Sequence, residues 1–474
     1  MLYLSIFISK FTFKYKILLM KKILFSLALV SIVGLTKAQT PTWVAKTTGA
    51  PALHYVNVLK AVNANVLWFA DTKSTSATDT GRYIGLSTDG GNTWSNKLIS
   101  GPPAATTIGD IHPVSATTAW MVSSGSGSQN GIWKTTNGGT NWTKQTTAPF
   151  NTTISFANVV HFWDENNGFC AGDPFGTGTN LRFEMYTTTN GGTTWTNIPT
   201  GTAPTPLNGA EYGYTSKITV LGDNIWLGTD LGRLLYSPNR GASWQAFQTP
   251  AVDFGGVTVS GFTADVAFKD SNNGLMVEDQ DGVGILRSTA DKGATWTDIT
   301  PGGTFYPNNI VYVPGTTNTY VTSGFDAGSS FSRDGGLTWT EIGSDPTLEK
   351  YFGSLAFINS TTGFAGGVSG AQSTTSGLPF PAFNVFSGNL ALAVSDVNAN
   401  KVKLAAFPNP AVDVVNLKSS KDIKEIAIID LSGKIVKREK SNGQVNVSNL
   451  AKGTYVAQAV YVDGSVENTK VIKK

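Results

Sequence analysis

The chain has little of what thiol and metal chemistry needs. Of its 474 residues one is cysteine, Cys170 in the run GFCAGD, and three are histidine. One cysteine makes no internal disulfide, so no disulfide framework holds the chain together. Cys170 reads as a small buried apolar residue on a strand. His54, His112 and His161 show no His-x-His or zinc-type spacing, and each reads as a satisfied strand or loop residue. No Walker-type or dinucleotide-binding glycine loop stands out, and GGVSG around Ser369 is not Gly-x-Ser-x-Gly. Asp279-Gln280-Asp281-Gly282 has the start of a calcium loop without the ligands that follow. No metal and no cofactor is indicated.

Charge is also sparse, at 14% of residues, and unevenly spread. Residues 1–38 carry six lysines and no acid; residues 39–400 are net −9 and residues 401–474 net +6. An acidic middle argues against nucleic acid or an anionic membrane surface as its partner.

Glycine and aromatics are abundant: 52 Gly, 12 Trp and 25 Phe. Their placement follows an eight-residue phrase, Ser/Thr-x-Asp/Asn-x-Gly-x-(Thr/Ser/Asn)-Trp, that occurs six times. The copies carry the pairs Asp89 and Trp94, Asn137 and Trp142, Asn190 and Trp195, Asn239 and Trp244, Asp291 and Trp296, and Asp334 and Trp339. A period of roughly 40–50 residues signals a repeat array, with propellers high among the candidates. The stretch from Ala157 to Trp195 reads as strand, turn, strand, loop, strand, tight turn and strand, and the other units follow the same plan. Four antiparallel strands per unit describe a propeller blade. The phrase is then the hairpin between strands three and four. Its Asp or Asn bonds its own turn, its Gly supplies a positive φ, its hydroxyl adds a local backbone bond, and its Trp covers the blade edge.

This phrase is the Asp-box, and the chain resembles the Asp-box (BNR) repeat family of sialidases, xyloglucanases, sortilin-type receptors and photosystem II assembly factors. The resemblance implies a β-propeller whose boxes are structural and lie away from any catalytic face. Six boxes give six blades. LAFINSTTGFAGGV and FNVFSG supply three further strands, and PTWVAKTTGAP at Pro41 to Pro51 parallels NWTKQTTAP at Asn141 to Pro149. The expected architecture is all-β: a seven-bladed propeller over 39–390, with the N-terminal strand and Trp43 completing the last blade and leaving no free edge.

After a linker at 391–402, residues 403–474 read as a small immunoglobulin-like β-sandwich. The quoted features are Phe-Pro-Asn-Pro (Pro408, Asn409 and Pro410), the Asp-Leu-Ser-Gly-Lys hairpin with Gly433, and Leu450-x-x-Gly453-x-Tyr455. They resemble the type A C-terminal sorting domain of the type IX secretion system, which implies Sec export and passage through the outer membrane of a Bacteroidota-type bacterium. The partner so implied is the secretion machinery, with surface attachment in some members. The start agrees: Lys21 and Lys22, an apolar run from Ile23 to Leu35, and Thr36-Lys37-Ala38 make residues 1–38 a signal peptide with Met20 as its natural start.

Within the propeller, the loops joining strands two and three and joining blades form the candidate binding face. Asp71, Asp173, Asp230, Glu278, Asp279, Asp281 and Asp326 fall there with Glu211, Tyr212 and Tyr214, and Tyr351 and Phe352 lie near it. Carboxylates at such positions are expected to be solvated, and the aromatics offer faces for sugars. The expected function is a non-catalytic module binding an extracellular glycan or protein. The alternatives are a glycoside hydrolase, which needs paired carboxylates across a pocket, and a structural or adhesive surface protein. A sialidase fits less well. Its Phe/Tyr-Arg-Ile-Pro motif is absent, and Arg82, Arg182, Arg233 and Arg287 all fall on expected third strands. A xyloglucanase of the family pairs two propellers, and one is read here.

Overall fold

The structure is a computed structural model that describes residues 40–73, 82–104, 106–124, 130–150, 156–324, 327–391, 404–419, 421–440, 443–462 and 466–474. The expected signal peptide, Asp326 and all of the expected linker at 391–402 but Ala391 lie outside the described residues. The chain divides into two compact units, Met1–Leu392 and Ala393–Lys474.

The first unit is all-β, built of antiparallel four-stranded sheets in chain order. Sheet I comprises His54–Ala61, Leu67–Lys73, Tyr83–Ser87 and Ser95–Leu98, with Val368–Ser369 added against His54 and Tyr55. Sheet II runs from Thr107–Pro113 to Thr143–Lys144, sheet III from Ala157–Phe162 to Thr196–Asn197, and sheet IV from Gly213–Leu221 to Gln245–Gln248. Sheet V runs from Phe262–Phe268 to Thr297–Ile299, and sheet VI from Asn309–Tyr312 to Thr340–Glu341. Sheet VII takes three strands, Leu355–Asn359, Thr362–Gly366 and Phe383–Ser387, from the far end of the unit. Its fourth is the N-terminal strand Thr42–Lys46, which pairs residue for residue with Ser387 back to Phe383.

No single core fills this unit. Each apolar cluster lies between consecutive sheets, because each sheet is apolar on both faces. Trp68, Ile84, Ile111, Met121 and Trp133 join sheets I and II; Trp120, Phe162, Cys170 and Trp195 join II and III. The series continues around to sheets VI and VII, where Trp43 packs among Phe331, Phe352 and Phe386. The last cluster joins VII to I through Phe364, Phe383, Phe69 and Leu67. The sheets therefore close on themselves, and Trp43 belongs to the closure. Its ring stacks on Phe352 at a centroid distance of 5.6 Å.

The six boxes share one geometry. In every copy the Ser or Thr hydroxyl accepts from the amide of the box glycine at 2.8–3.1 Å. The Asp or Asn accepts from the amide four residues on at 2.8–3.0 Å. The box glycines have φ of 81–94°, a region closed to most residues with a Cβ. Boxes also hold the neighbouring sheet: Trp120 Nε1 donates to Gly191 O at 3.3 Å, and Trp226 Nε1 to Lys292 O at 2.9 Å.

The second unit has two sheets over one core. Ala405–Phe407, Val414–Lys418 and Gln444–Asn446 form the smaller sheet; Ile423–Ile429, Ile435–Lys440, Gly453–Tyr461 and Val466–Lys473 form the larger. Val415, Ile426, Ile428, Val445, Ala457 and Tyr461 fill the space between. Pro408, Asn409 and Pro410 lie just after the first strand. The Asn409 side chain donates to Lys470 O at 2.7 Å and accepts from Ile472 N at 2.8 Å. Gly433 turns the Asp430 hairpin at φ 85°. Two residues after Gly453, Tyr455 donates its hydroxyl to Ala451 O at 2.8 Å.

Candidate functional site

Each sheet of the ring has two ends. The boxes and the turns between first and second strands lie at one. The opposite end carries the hairpins between second and third strands and the connections between sheets, and most of the candidate residues are there.

The carboxylates at that end depart from the expectation of solvated loops. Asp71, Glu211, Asp230 and Glu278 are each 5% exposed or less. A buried carboxylate needs donors, and each has them. Asp71 accepts from the amides of Arg82 at 3.0 Å and Tyr83 at 2.6 Å and meets His54 Nδ1. Glu211 takes Arg233 in a two-pronged pair at 2.9 and 2.8 Å. Glu278 pairs with Arg287. Asp281 and Gly282, both at positive φ, form the two-residue turn of a hairpin, and Asp279 Oδ1 accepts from Gly282 N at 2.7 Å. That geometry accounts for Asp279 to Gly282 as a turn. Arg182, Arg233 and Arg287 lie on third strands, whereas Arg82 sits one residue before one.

Five candidates come together where sheets III and IV meet. Asp173, at the end of the second strand of sheet III, accepts from Asn158 Nδ2 at 2.7 Å and from Gly213 N at 3.2 Å. Asp230, after the second strand of sheet IV, accepts from Tyr212 N at 2.8 Å and Thr258 Oγ1 at 3.1 Å. Two consecutive amides, of Tyr212 and Gly213, are thus held by carboxylates from two sheets. Glu211 precedes them. The Tyr212 and Tyr214 rings meet edge to face at 5.4 Å, with their hydroxyls on Thr258 at 2.8 Å and Asp253 at 2.6 Å. Burial, with the Asp230 charge adding to it, pushes Asp173 up to about 6 against the hydrogen bonds it accepts. Burial also raises Asp230 and Tyr214.

The remaining candidates stand apart. Tyr351 is half-buried between Tyr55 at 6.1 Å and Phe380 at 5.7 Å, where sheets VII and I meet. Phe352 is in the closure core. Asp279 borders a groove with Phe305 and Tyr306.

Sequence reasoning missed Asp253, the most heavily used carboxylate of the cluster. It is 1% exposed and also accepts from the amides of Gly255, Thr258 and Val259 at 2.9–3.0 Å. The available signal was Asp253-Phe-Gly-Gly, an acid two residues before glycine in a connection between sheets. Lys60, Asp110, Lys217 and Asp265 on first strands were missed as well. Charged residues inside strands that otherwise read as apolar were the signal there.

No curated protein matches the chain. Among solved structures, YCF48 bound to D1 peptide is similar at 12% identity and a TM-score of 0.48, over 74% of this chain and 98% of that one. YCF48 from Cyanidioschyzon merolae is similar at 14% identity and a TM-score of 0.49, over 74% and 99%. PorZ of Porphyromonas gingivalis, a surface component of the type IX secretion system, is similar at 13% identity and a TM-score of 0.42, and 59% of its length is covered. Residues 405–474 match the family of secretion system C-terminal sorting domains. That tail identifies the chain as a protein exported by type IX secretion to the cell surface or the extracellular space.

Proposed function

We propose that residues 39–390 are a seven-bladed Asp-box propeller that binds an extracellular glycan on the end of the ring opposite the boxes. The observation that carries this reading is the locked segment 212–214. Asp230 and Asp173 fix its backbone amides, and Thr258 and Asp253 its two hydroxyls, leaving a fixed tyrosine pair at the junction of sheets III and IV. A pre-set aromatic surface binds without the entropy cost of ordering it. Tyr212, Tyr214 and Asp173 are the residues proposed to meet the ligand, with Asp230 and Glu211 as supports. Asp279 and Tyr351 belong to the same end and are proposed as its wider rim, with Asp71 as a buried support beneath it; Asp326 is proposed with them from the sequence alone.

The export reading extends in the same way. Residues 1–38 direct Sec export from Met20, 391–402 link the units, and 403–474 is an immunoglobulin-like sorting domain that meets the secretion machinery, with release or attachment to the outer membrane surface as the final state. An extracellular protein as ligand finds support in Leu207 and Val257, 60% and 72% exposed on connections flanking the tyrosines.

Hydrolysis is the second reading, favoured by Asp173. A carboxyl raised to about 6 is suited to give up a proton near neutral pH. Incubating the mature protein with sialosides, plant glycans and host glycans separates the two. Retention of a glycan without released product, read by mass spectrometry, is expected; product release lost in Asp173→Asn would make the protein a hydrolase.

A further inference from the structure

The middle of the ring holds a cavity of about 340 Å³, walled by the first strands of sheets I, IV, V, VI and VII. It is a separate place from the tyrosine segment, and two lysines line it: Lys60 from sheet I and Lys217 from sheet IV.

Neither ammonium group is well matched. Lys60 Nζ lies 3.7 Å from Asp110 Oδ1 and Lys217 Nζ lies 4.0 Å from Asp265 Oδ1, both beyond hydrogen-bond length. The carboxylates are engaged elsewhere. Asp110, fully buried behind the wall, accepts from Ile111 N at 2.9 Å and Val160 N at 3.1 Å. Asp265 accepts from Val266 N at 3.0 Å and Ile310 N at 3.2 Å. Lys217 otherwise donates to Ala264 O at 3.3 Å. Each ammonium carries three N–H donors, and among the described residues the Lys217 bond to Ala264 O is the one within hydrogen-bond length. The charged groups of the lining are the two lysines and Asp265, and the Asp110 carboxylate stands behind Lys60; burial pushes the Asp110 carboxyl up against the pull of the Lys60 charge. His112 and His161, near Lys60, add no charge. Burial, then the Lys60 charge, holds His112 down at about 3, and burial lowers His161 as well.

Lys217 reaches the wall through a distortion. The pairing of sheet IV's first two strands slips between Gly213 and Ile218, and Ser216 within the slip has φ 57°. A serine held there is strained, and such a bulge re-aims the side chains beside it.

We propose that the central cavity is a binding site for a small carboxylate, held between the Lys60 and Lys217 ammonium groups. This stands whether or not the opposite end of the ring binds a glycan. Calorimetric titration of the full mature chain at low salt with succinate, and with its neutral diamide succinamide, tests it. Succinate is expected to bind saturably and raise the melting temperature, while succinamide does neither. Lys217→Met is expected to weaken succinate by about tenfold or more without lowering the ligand-free melting temperature. Asp265→Asn, which removes the competing carboxylate, is expected to tighten it. Absence of succinate binding, equal binding of succinamide, or unchanged affinity in Lys217→Met would overturn the proposal.

Discussion

The two ends of the ring use the same residue type in opposite ways. At the box end, aspartates sit in short turns and bond the backbone just ahead of them. Hydrogen bonds from the Thr93 side chain and backbone draw Asp89 down to about 2. Burial pushes Asp291 and Asp334 up, but bonds from Thr295 and Thr338 outweigh it and leave both lowered. At the other end, burial dominates and raises Asp173 and Asp230. The box is one local solution used six times. The opposite end is a set of individual solutions, each joining segments distant in sequence. Repetition marks what holds the sheets, and departure from it marks the end where we place the proposed site.

The largest break of this comparison comes from neither end but from the ring closure that both depend on. Deleting residues 39–50 removes the strand paired to Phe383–Ser387 and the buried Trp43. The whole unit is expected to melt at much lower temperature, and Trp43→Ala alone to cost about 3–5 kcal/mol. An unchanged melting curve would remove the closure from the account.

Next in size is Asp253→Ala, expected to cost about 3 kcal/mol because a tyrosine hydroxyl and three amides lose their buried acceptor. Ser332→Ala in a box is expected to cost about 1 kcal/mol, since the same turn keeps its Asp334 bonds to Thr338. Chemical denaturation of the two variants side by side checks the order.

The ends should also answer pH with opposite sign. Asp173 is raised from 3.8 to about 6, so the folded state holds its proton more tightly than the unfolded chain. Stability then falls as pH climbs through that window. Asp173→Asn is expected to flatten this slope and to raise stability at pH 7 by on the order of 1 kcal/mol. Asp89, lowered to about 2, gives the reverse: its contribution is present above the ordinary carboxylate range and is lost as pH falls through about 2. A variant Asp89→Asn should therefore lose stability at neutral pH relative to pH 2. Melting curves from pH 2 to 8 read both effects.

Much of the fold was legible because the repeat is local. Glycine, the Asp or Asn and the hydroxyl act within five residues, so their letters spell the hairpin directly. The N-terminal strand was legible for a related reason: PTWVAKTTGAP parallels the segments that follow the boxes ending at Trp142 and Trp195. The candidate site was legible in outline only. Tyr212, Tyr214, Asp173 and Asp230 were readable as residues of one end. Their convergence depends on Asp230 and Asp173 meeting adjacent amides across two sheets, and no spacing encodes that. Burial of Asp71, Glu211 and Glu278 was hidden for the same reason, since their partners His54, Arg233 and Arg287 are distant or pair through sheet geometry.

The smallest expected effect on stability is also the sharpest test of function. Tyr212→Ala at the open end is expected to change stability by less than about 1 kcal/mol, because its ring is only partly buried and Asp230 holds its amide rather than its side chain. Asn137→Ala cuts a box. The direct measurement is retention of the mature protein on an array of sialosides, plant glycans and host glycans, comparing the natural sequence with these two variants. The account predicts that a glycan is retained, that Tyr212→Ala loses it, and that Asn137→Ala keeps it despite lower stability. Retention by Tyr212→Ala with loss in Asn137→Ala, or no retained glycan in the natural protein, would contradict it.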